Sequence, residues 1–504
     1  MTLLCVSLMP KTTDEARQGL AEAARTASLA ELRLDALREF DLARILSDKP
    51  CPVVVTYRPK REGGLYDGPE AARLQALREA ARLGADYLDV EHDAFAALGP
   101  VGGAKTIVSY HNFRETPGDL PAIHARLAAL GATVVKVAAL ANHILDTVAV
   151  LRILRDARVP TIALSMGPKG VLTRLLAPKF GAFLTYAAAG TPGKGSGALS
   201  RKAPDPLPPA HEAGPGQVSV GEMLDLYRVG RIGPSTRVYG VIADPVGHSL
   251  SPRIHNTAFA ALGLDAVYLP LWVEGDPAAF VAAMREFAFD GYSVTIPHKQ
   301  TVMRACDQVE PLARRIGAIN TIQRRPDGTL FATNTDWTAG MAAIEAVVGP
   351  GWLRGKRALI IGAGGVGRAM AFGLKERGAA VTLADVDEAR AAALAAEVGV
   401  ERCRLGDIAG VPCETLLNCT PIGMHPRVDA TAVPREMLRE GMLVYDAVYN
   451  PLQTRLIREA RAAGCRTVPG IDHFVRQAVE QFELWTGRPA PVEKMREVVV
   501  AALS

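Results

Sequence analysis

From Leu3 onward, short apolar runs alternate with longer stretches whose apolar residues recur at helical spacing. The runs fall at 3–8, 29–34, 52–57, 87–91, 105–110, 133–138, 160–165 and 182–187. Eight strands separated by helices within roughly 220 residues predict a (β/α)8 barrel, whose chemistry sits at the C-terminal strand ends. Residues 222–234 read as a last helix and a connector ending in Gly233-Pro234, after which 237–242 begins a new strand. Much later, Ala358-Leu359-Ile360-Ile361 reads as a buried strand, with a helix-forming run from Arg368 and a further strand at 380–384. The α/β pattern thus persists to the end of the chain.

Between that strand and helix lie Gly362, Ala363, Gly364, Gly365, Val366 and Gly367, with G-x-G-x-x-G spacing. A pyrophosphate needs a tight turn, a backbone clear of side chains and the positive end of a helix dipole, and this order supplies all three. Asp385 ends the next strand, eighteen residues after Gly367, where an acid usually takes the ribose hydroxyls of NAD. A Rossmann dinucleotide-binding domain is expected here.

Composition narrows the classes. The 504 residues suit about three domains, and a hydrophobic fraction of 49% can fill more than one core. A net charge of +4 with no basic run argues against nucleic acid and membrane surfaces. Seven cysteines without C-x-x-C spacing argue against a disulfide framework and for a reducing cytoplasm, and no metal site is predicted. The apolar run at 3–8 is too short for a signal peptide or a membrane span and reads as a strand.

Polar residues collect at the predicted barrel mouth: Glu31 and Arg33 in strand two, Arg58 after strand three, Glu91 closing strand four, His111 after strand five and Arg174 after strand seven. For Glu91 and Arg33 a structural ion pair is an equally open reading. Lys136 lies inside Val134-Val135-Lys136-Val137, where desolvation is expected to lower its pKa. A neutral amine attacks a ketone to give a Schiff base, and the protonated imine acidifies the adjacent carbon for a base such as His111. That chemistry eliminates water from a β-hydroxy ketone.

Glu31-x-Arg33-x-Asp35, Thr56-Tyr57-Arg58 with Glu62-Gly63-Gly64, Ser109-Tyr110-His111-Asn112-Phe113 with Thr116-Pro117, and Ser165-Met166-Gly167 with Arg174 resemble type I 3-dehydroquinate dehydratase. The likeness covers the first domain and ends in Pro215-Gly216-Gln217. It implies Lys136 as the Schiff-base lysine, His111 as general acid/base and Glu62 as its orienting partner. Glu31, Arg33 and Arg58 would shape the pocket, Arg174 would clamp the substrate carboxylate, and Gln217 would close over the ring. The family's lid serine is replaced here by Ala213, after a Gly-, Pro- and Ser-rich stretch at 190–212 that reads as flexible. Either Ser196 or Ser200 supplies the missing hydroxyl, or the lid makes one fewer contact.

The second half carries Ser249-Leu250-Ser251-Pro252, Gly291-Tyr292-Ser293-Val294-Thr295-Ile296-Pro297-His298-Lys299, Gly317 to Thr321, Asn334-Thr335-Asp336, Asn418 to Met424 and Gly470 to Gln477. Ser249 also suits a helix N-cap ahead of a helix at 252–262. Together the set resembles shikimate dehydrogenase. The resemblance implies Lys299 and Asp336 as the acid/base pair, Ser249, Ser251 and Tyr449 on the carboxylate, and Thr295, Asn320, Asp336 and Gln477 on the ring hydroxyls and reacting oxygen. It implies a barrel at 1–222, a connector at 223–236, a substrate domain at 237–337 completed by 470–504, and a Rossmann domain at 338–469.

Two departures bear on the cofactor. Where the family commonly has Asn-Arg-Thr after the second Rossmann strand, this chain has Asp385-Val386-Asp387, so NAD is expected over NADP. His473 stands where the family usually has Met near the nicotinamide. The expected function is a fused shikimate-pathway enzyme that dehydrates 3-dehydroquinate and reduces 3-dehydroshikimate, both small molecules, to shikimate. The alternatives are NAD-dependent quinate or shikimate catabolism through the same sites, and a quinate-responsive regulator that has lost catalysis.

Overall fold

The structure, a computed structural model, describes residues 1–189, 216–247 and 249–503. Strands β1 (Leu3–Leu8), β2 (Leu29–Arg33), β3 (Val53–Thr56), β4 (Tyr87–Glu91), β5 (Lys105–Asn112), β6 (Val134–Leu140), β7 (Thr161–Met166) and β8 (Leu184–Ala188) form one parallel sheet. Each is an almost continuous apolar run, as a sheet covered on both faces requires, and Val53, Val54 and Val55 have no solvent access. β8 returns to pair with β1, and the Phe183 N–H donates to the Thr161 carbonyl at 2.8 Å across the remaining seam. The result is a nearly closed barrel whose strand ends face one mouth.

A second sheet contains β9 (Arg237–Ala243), β10 (Ala266–Trp272), β11 (Gly291–Val294), β12 (Gln308–Val309), β13 (Thr321–Arg324) and β14 (Leu330–Thr333), in the order 10-9-11-13-14-12. The helices Gly470–Thr486 and Val492–Leu503 return to cover it. Trp485 pins the first of them: its ring stacks on Tyr239 at 5.1 Å and its Nε1–H donates to the Ile322 carbonyl at 3.0 Å.

The third sheet, β15 (Arg357–Ile361), β16 (Ala380–Ala384), β17 (Glu401–Arg402), β18 (Thr415–Asn418), β19 (Leu443–Asp446) and β20 (Arg466–Val468), is parallel throughout in the order 17-16-15-18-19-20. Its strand order reverses between β15 and β18, so the crevice beyond their C-terminal ends is the ligand position for a doubly wound sheet.

Local boundaries differ from the sequence pattern in three places. The helix after the glycine loop starts at Gly365, not Arg368, because extended Gly364 already serves as its cap. β5 continues through Asn112 by pairing with Ala139, so His111 lies inside the strand rather than after it. The closing helix is a short turn, Glu222–Leu226. Asp336 lies within the first turn of the helix Thr335–Val348, which Asn334 caps by accepting from the Asp336 N–H. Ser196, Ser200, Ala213 and the stretch 190–212 lie outside the described residues.

The barrel and the second sheet share one hydrophobic cluster, bridged by Val229 and Ile232. Phe180 meets Phe287 edge to face at 5.6 Å, Lys169 pairs with Glu274 at 2.5 Å, and Glu286 takes Arg152 and Arg155 at 2.6 and 2.9 Å.

Candidate active sites

Alternation along a strand places Asp89 and Glu91 on the same side of β4, inside the barrel, and both are fully buried. Arg58, just past β3, spans them at 2.9 Å and 2.7 Å. Glu91 also pairs with buried Arg73 at 2.7 Å, which is the structural ion pair left open by the sequence. Asp89 reaches across the barrel to Lys136 Nζ at 2.7 Å, while Glu31 stands 3.8 Å from the same ammonium. Ser109 donates to Asp89 at 2.7 Å, and Thr56 donates to Glu31 at 2.8 Å. Burial would raise the Asp89 carboxyl, but Arg58 and Lys136 beside it hold it well below the usual carboxylate range.

The sequence expectation for Lys136 considered only desolvation by its apolar strand. The structure instead sets it in an ion-pair network, with the Tyr186 ring 4.6 Å from Nζ. Asp89 was the missed residue. Its signal was present, since it lies two positions before Glu91 and shares its face.

Glu62, in a turn after β3, accepts from both the backbone N–H and Nδ1 of His111, each at 3.0 Å. One carboxylate oxygen thereby fixes the imidazole's position and, as a hydrogen-bond acceptor, leaves Nε2 free to serve as base. Burial pushes the Glu62 carboxyl up to about 7 despite the nearby Arg58. For His111, burial and then the Arg58 and Lys136 charges hold the imidazole well below its ordinary value. Glu31, Arg33, Arg58, Glu62, His111, Lys136, Arg174 and Gln217 all line one pocket at the barrel mouth. Arg33 forks onto Asp35 at 2.9 and 2.6 Å, and burial brings Arg174 down to about 10.

A second cleft opens between the second and third sheets. Ser249, Ser251, Thr295, Lys299, Asp336, Tyr449 and Gln477 line it, together with Val366 from the glycine loop and His473. Lys299 Nζ meets Asp336 at 2.6 Å. Asn320 sits behind rather than in the cleft: its Nδ2 donates to Asp336 at 2.8 Å while its Oδ1 accepts from the Thr335 N–H at 2.7 Å. Burial would raise Asp336, but the Lys299 charge, His473 and the hydrogen bonds from Lys299 and Asn320 together lower the carboxyl. Ser249 accepts from the Ser251 N–H at 3.3 Å, so it braces the helix Ser251–Ala261 while facing the cleft.

The glycine loop suits a pyrophosphate. A Cβ at Gly367 would lie 1.8 Å from the Gly362 carbonyl oxygen, and one at Gly362 would lie 2.8 Å from that of Cys419. A Cβ at Gly364 would meet nothing within 4 Å, so this backbone is open to a ligand at the start of the helix Gly365–Glu376. Asp385 accepts from the Ala363 N–H at 2.6 Å, the Asp387 N–H at 2.8 Å and Arg390 at 2.6 Å. Burial would raise this carboxyl, but these donors lower it. Among the described residues no group of three or more His, Cys, Asp or Glu could hold a metal ion, and no helix is long and apolar enough to cross a membrane.

Comparison with known proteins gives matches over both halves. Residues 4–234 match the type I 3-dehydroquinase family, 241–322 the shikimate dehydrogenase substrate binding domain, and 470–500 the shikimate 5'-dehydrogenase C-terminal domain. A bifunctional 3-dehydroquinate dehydratase/shikimate dehydrogenase of Arabidopsis thaliana, described as chloroplastic, is 41% identical over 98% of this chain and 83% of its own. A crystal structure of a shikimate dehydrogenase in complex with NADP+ matches 54% of this chain and 98% of its own at 35% identity, with a TM-score of 0.51. The quinate dehydrogenase of Corynebacterium glutamicum in complex with NAD matches 53% and 99% at 31% identity, with a TM-score of 0.50.

Replacing Asp89 by Asn would leave Lys136 without its nearest carboxylate and Arg58 with one partner instead of two. The expected loss of barrel stability is about 3 kcal/mol, read from urea-induced unfolding. A loss below about 1 kcal/mol would show that the network contributes little net attraction.

Proposed function

The chain belongs to the family of bifunctional 3-dehydroquinate dehydratase/shikimate dehydrogenases, and from that premise we propose which residues carry each reaction. The enzyme dehydrates 3-dehydroquinate to 3-dehydroshikimate and reduces that product to shikimate with a nicotinamide dinucleotide. The barrel, assigned to 1–222, performs the first step. The unit at 237–337, completed by 470–504, holds the substrate of the second, and 338–469 holds the dinucleotide.

In the barrel, Lys136 gives up its ammonium proton to His111 and then attacks the ketone, losing water to form an imine. Protonation of that imine acidifies the neighbouring carbon, His111 removes its proton, and the leaving hydroxyl departs as water once His111 returns a proton. Asp89 holds Lys136 in position, Glu62 orients His111, and Arg174 receives the substrate carboxylate. Hydrolysis of the imine frees the enone. The observation that carries this reading is the convergence of Lys136, His111 and Arg174 on one pocket.

In the second cleft the reduced nicotinamide, when bound, supplies a hydride to the carbonyl carbon. Lys299 donates the proton to the carbonyl oxygen, and Asp336, braced by Asn320, holds Lys299 in place. Ser249, Ser251 and Tyr449 receive the carboxylate, while Thr295 and Gln477 read the ring hydroxyls. The pyrophosphate is placed on the loop Gly362 to Gly367.

Both NAD and NADP occur in the solved relatives. NAD is favoured here because the Asp385 carboxylate repels a 2'-phosphate, the adjacent Val386 offers no charge, and Arg390 is already engaged by Asp385. A cytoplasmic location is proposed from the seven cysteines, all of which are unpaired.

Lys136→Met is expected to abolish dehydration while leaving shikimate oxidation intact; surviving dehydration would remove the Schiff-base assignment. The dehydratase kcat/KM should rise with pH through about 7, where the Glu62–His111 pair loses its proton. Glu62→Gln should erase that inflection. With 3-dehydroquinate as substrate, shikimate should form mainly with NADH, and joint Asp385→Asn and Val386→Arg changes should move the kcat/KM ratio toward NADPH by about a hundredfold. Preference for NADPH in the unaltered enzyme would overturn the cofactor reading, and quinate as main product would turn the assignment to catabolism.

A further inference from the structure

Lys299 stands in a segment that is anchored from outside itself. Ile296, three residues before it, is 73% exposed, whereas the adjacent His298 is buried. The His298 Nε2 meets the Val273 carbonyl oxygen at 2.7 Å, and a carbonyl only accepts, so Nε2 carries the proton and donates. On the other side the Lys299 carbonyl accepts from the Ile319 N–H at 2.8 Å. The lysine backbone is thus pinned between Ile319 and the Val273 carbonyl.

Val273 follows β10, and the barrel takes hold of the next residue, Glu274. His143, in the loop after β6, accepts at Nδ1 from the Leu145 N–H at 3.1 Å. Its proton is therefore on Nε2, which donates to the Glu274 carbonyl at 3.0 Å. Lys169, in the turn Pro168–Gly170 after β7, pairs with the Glu274 carboxylate at 2.5 Å and donates to the Asn142 carbonyl at 2.6 Å. It ties the two barrel loops to each other and to Glu274. β6 and β7 are the strands that carry Lys136 and Met166 into the dehydratase pocket. The rim of one active site thus grips the residue beside the carbonyl that anchors the other.

We propose that the barrel rim positions the reductase's proton donor: His143 and Lys169, acting through Glu274, Val273 and His298, set where Lys299 stands. This rests on the reading of Lys299 as the group that protonates the carbonyl oxygen. The path is short and stiff. The Val273 carbonyl and the Glu274 Cα belong to one planar peptide unit, so holding Glu274 orients the oxygen to which His298 donates. Adhesion between the halves is already supplied by the shared apolar cluster and by Glu286 with its two arginines. The Glu274 contacts differ in lying one peptide unit from the anchor of His298. His143, Lys169 and His298 are positioning residues, since each acts on the reaction through Lys299.

The test is single-turnover oxidation of shikimate by the full-length chain, followed by nicotinamide absorbance, with dehydration measured in the same preparations. Joint His143→Phe and Lys169→Met changes should slow the reductase step about tenfold, a part of the roughly hundredfold that a misplacement of about 1 Å costs. The concentrations of shikimate and dinucleotide that half-saturate the step should stay within about twofold, because no binding group is touched. Lys169→Arg, which keeps the ion pair, should run near the unaltered rate. His298→Leu should slow the step at least as much as the rim changes, and adding the rim changes to it should slow it no further. Multiplying effects would show that the rim does not act through His298 and would overturn the proposal. An unchanged rate in the rim variant would do the same, as would a matching loss of dehydration or of substrate affinity, which would make the contacts merely structural. Lys299→Met separates the two readings. If it still turns over at the full rate, the reductase assignment falls and this proposal with it; if it is inactive beside an unaffected rim variant, this proposal alone falls.

Discussion

Asp89 has no access to solvent, yet it carries a full charge between Arg58 and Lys136. An ion removed from water costs several kcal/mol unless its partners and hydrogen bonds replace the lost hydration. The barrel meets that cost as a set, because each cation touches more than one carboxylate and Ser109 satisfies a further lone pair of Asp89. The Lys136 amine is consequently held by carboxylates from β4 and β2, which β5 and β3 hydroxyls brace in turn, not by packing on its own strand. Preorganisation of this kind keeps the amine, the imidazole and the pocket guanidinium in register before substrate arrives.

The reductase site obeys a different constraint. Lys299 and Asp336 come from a loop and a helix start, and Asn320 braces the pair: its Nδ2 donates to Asp336 while its Oδ1 accepts from the Thr335 N–H and from the Thr321 and Thr335 hydroxyls. The cleft is bounded by two sheets that each have their own core, joined where the helix from Gly470 leaves the third sheet to pack on the second. The cleft thus has one wall from each of two separate hydrophobic cores.

Much of this was readable in the sequence because chemistry-bearing residues cluster in short motifs. All eight barrel strands and the glycine loop fall close to where their local patterns put them, and the residues singled out for each site, Asn320 excepted, line its pocket, although His111 lies inside its strand. Asp89 lies mid-strand, where position along β4 does not mark it as Glu91 is marked at the strand end, although strand parity pairs the two. Asn320 sits one layer back because its amide matches the helix start at Asp336, a relation with no local pattern. Asp385 reads as a ribose ligand by position, and only the fold reveals that it also braces the Ala363 N–H. Contacts between the halves were invisible for a similar reason: Lys169 and Glu274 are 105 residues apart and neither lies in a motif.

The shared hydrophobic cluster beneath those contacts makes the connector part of the core. Val229 and Ile232 in the connector are core residues, and Lys179 donates to the Pro234 and Thr236 carbonyls at 3.0 and 2.7 Å. A tether with such contacts is architecture, not string. Cutting the chain here would expose an apolar face on each half, so the two enzymes are joined by a core as well as by a peptide bond.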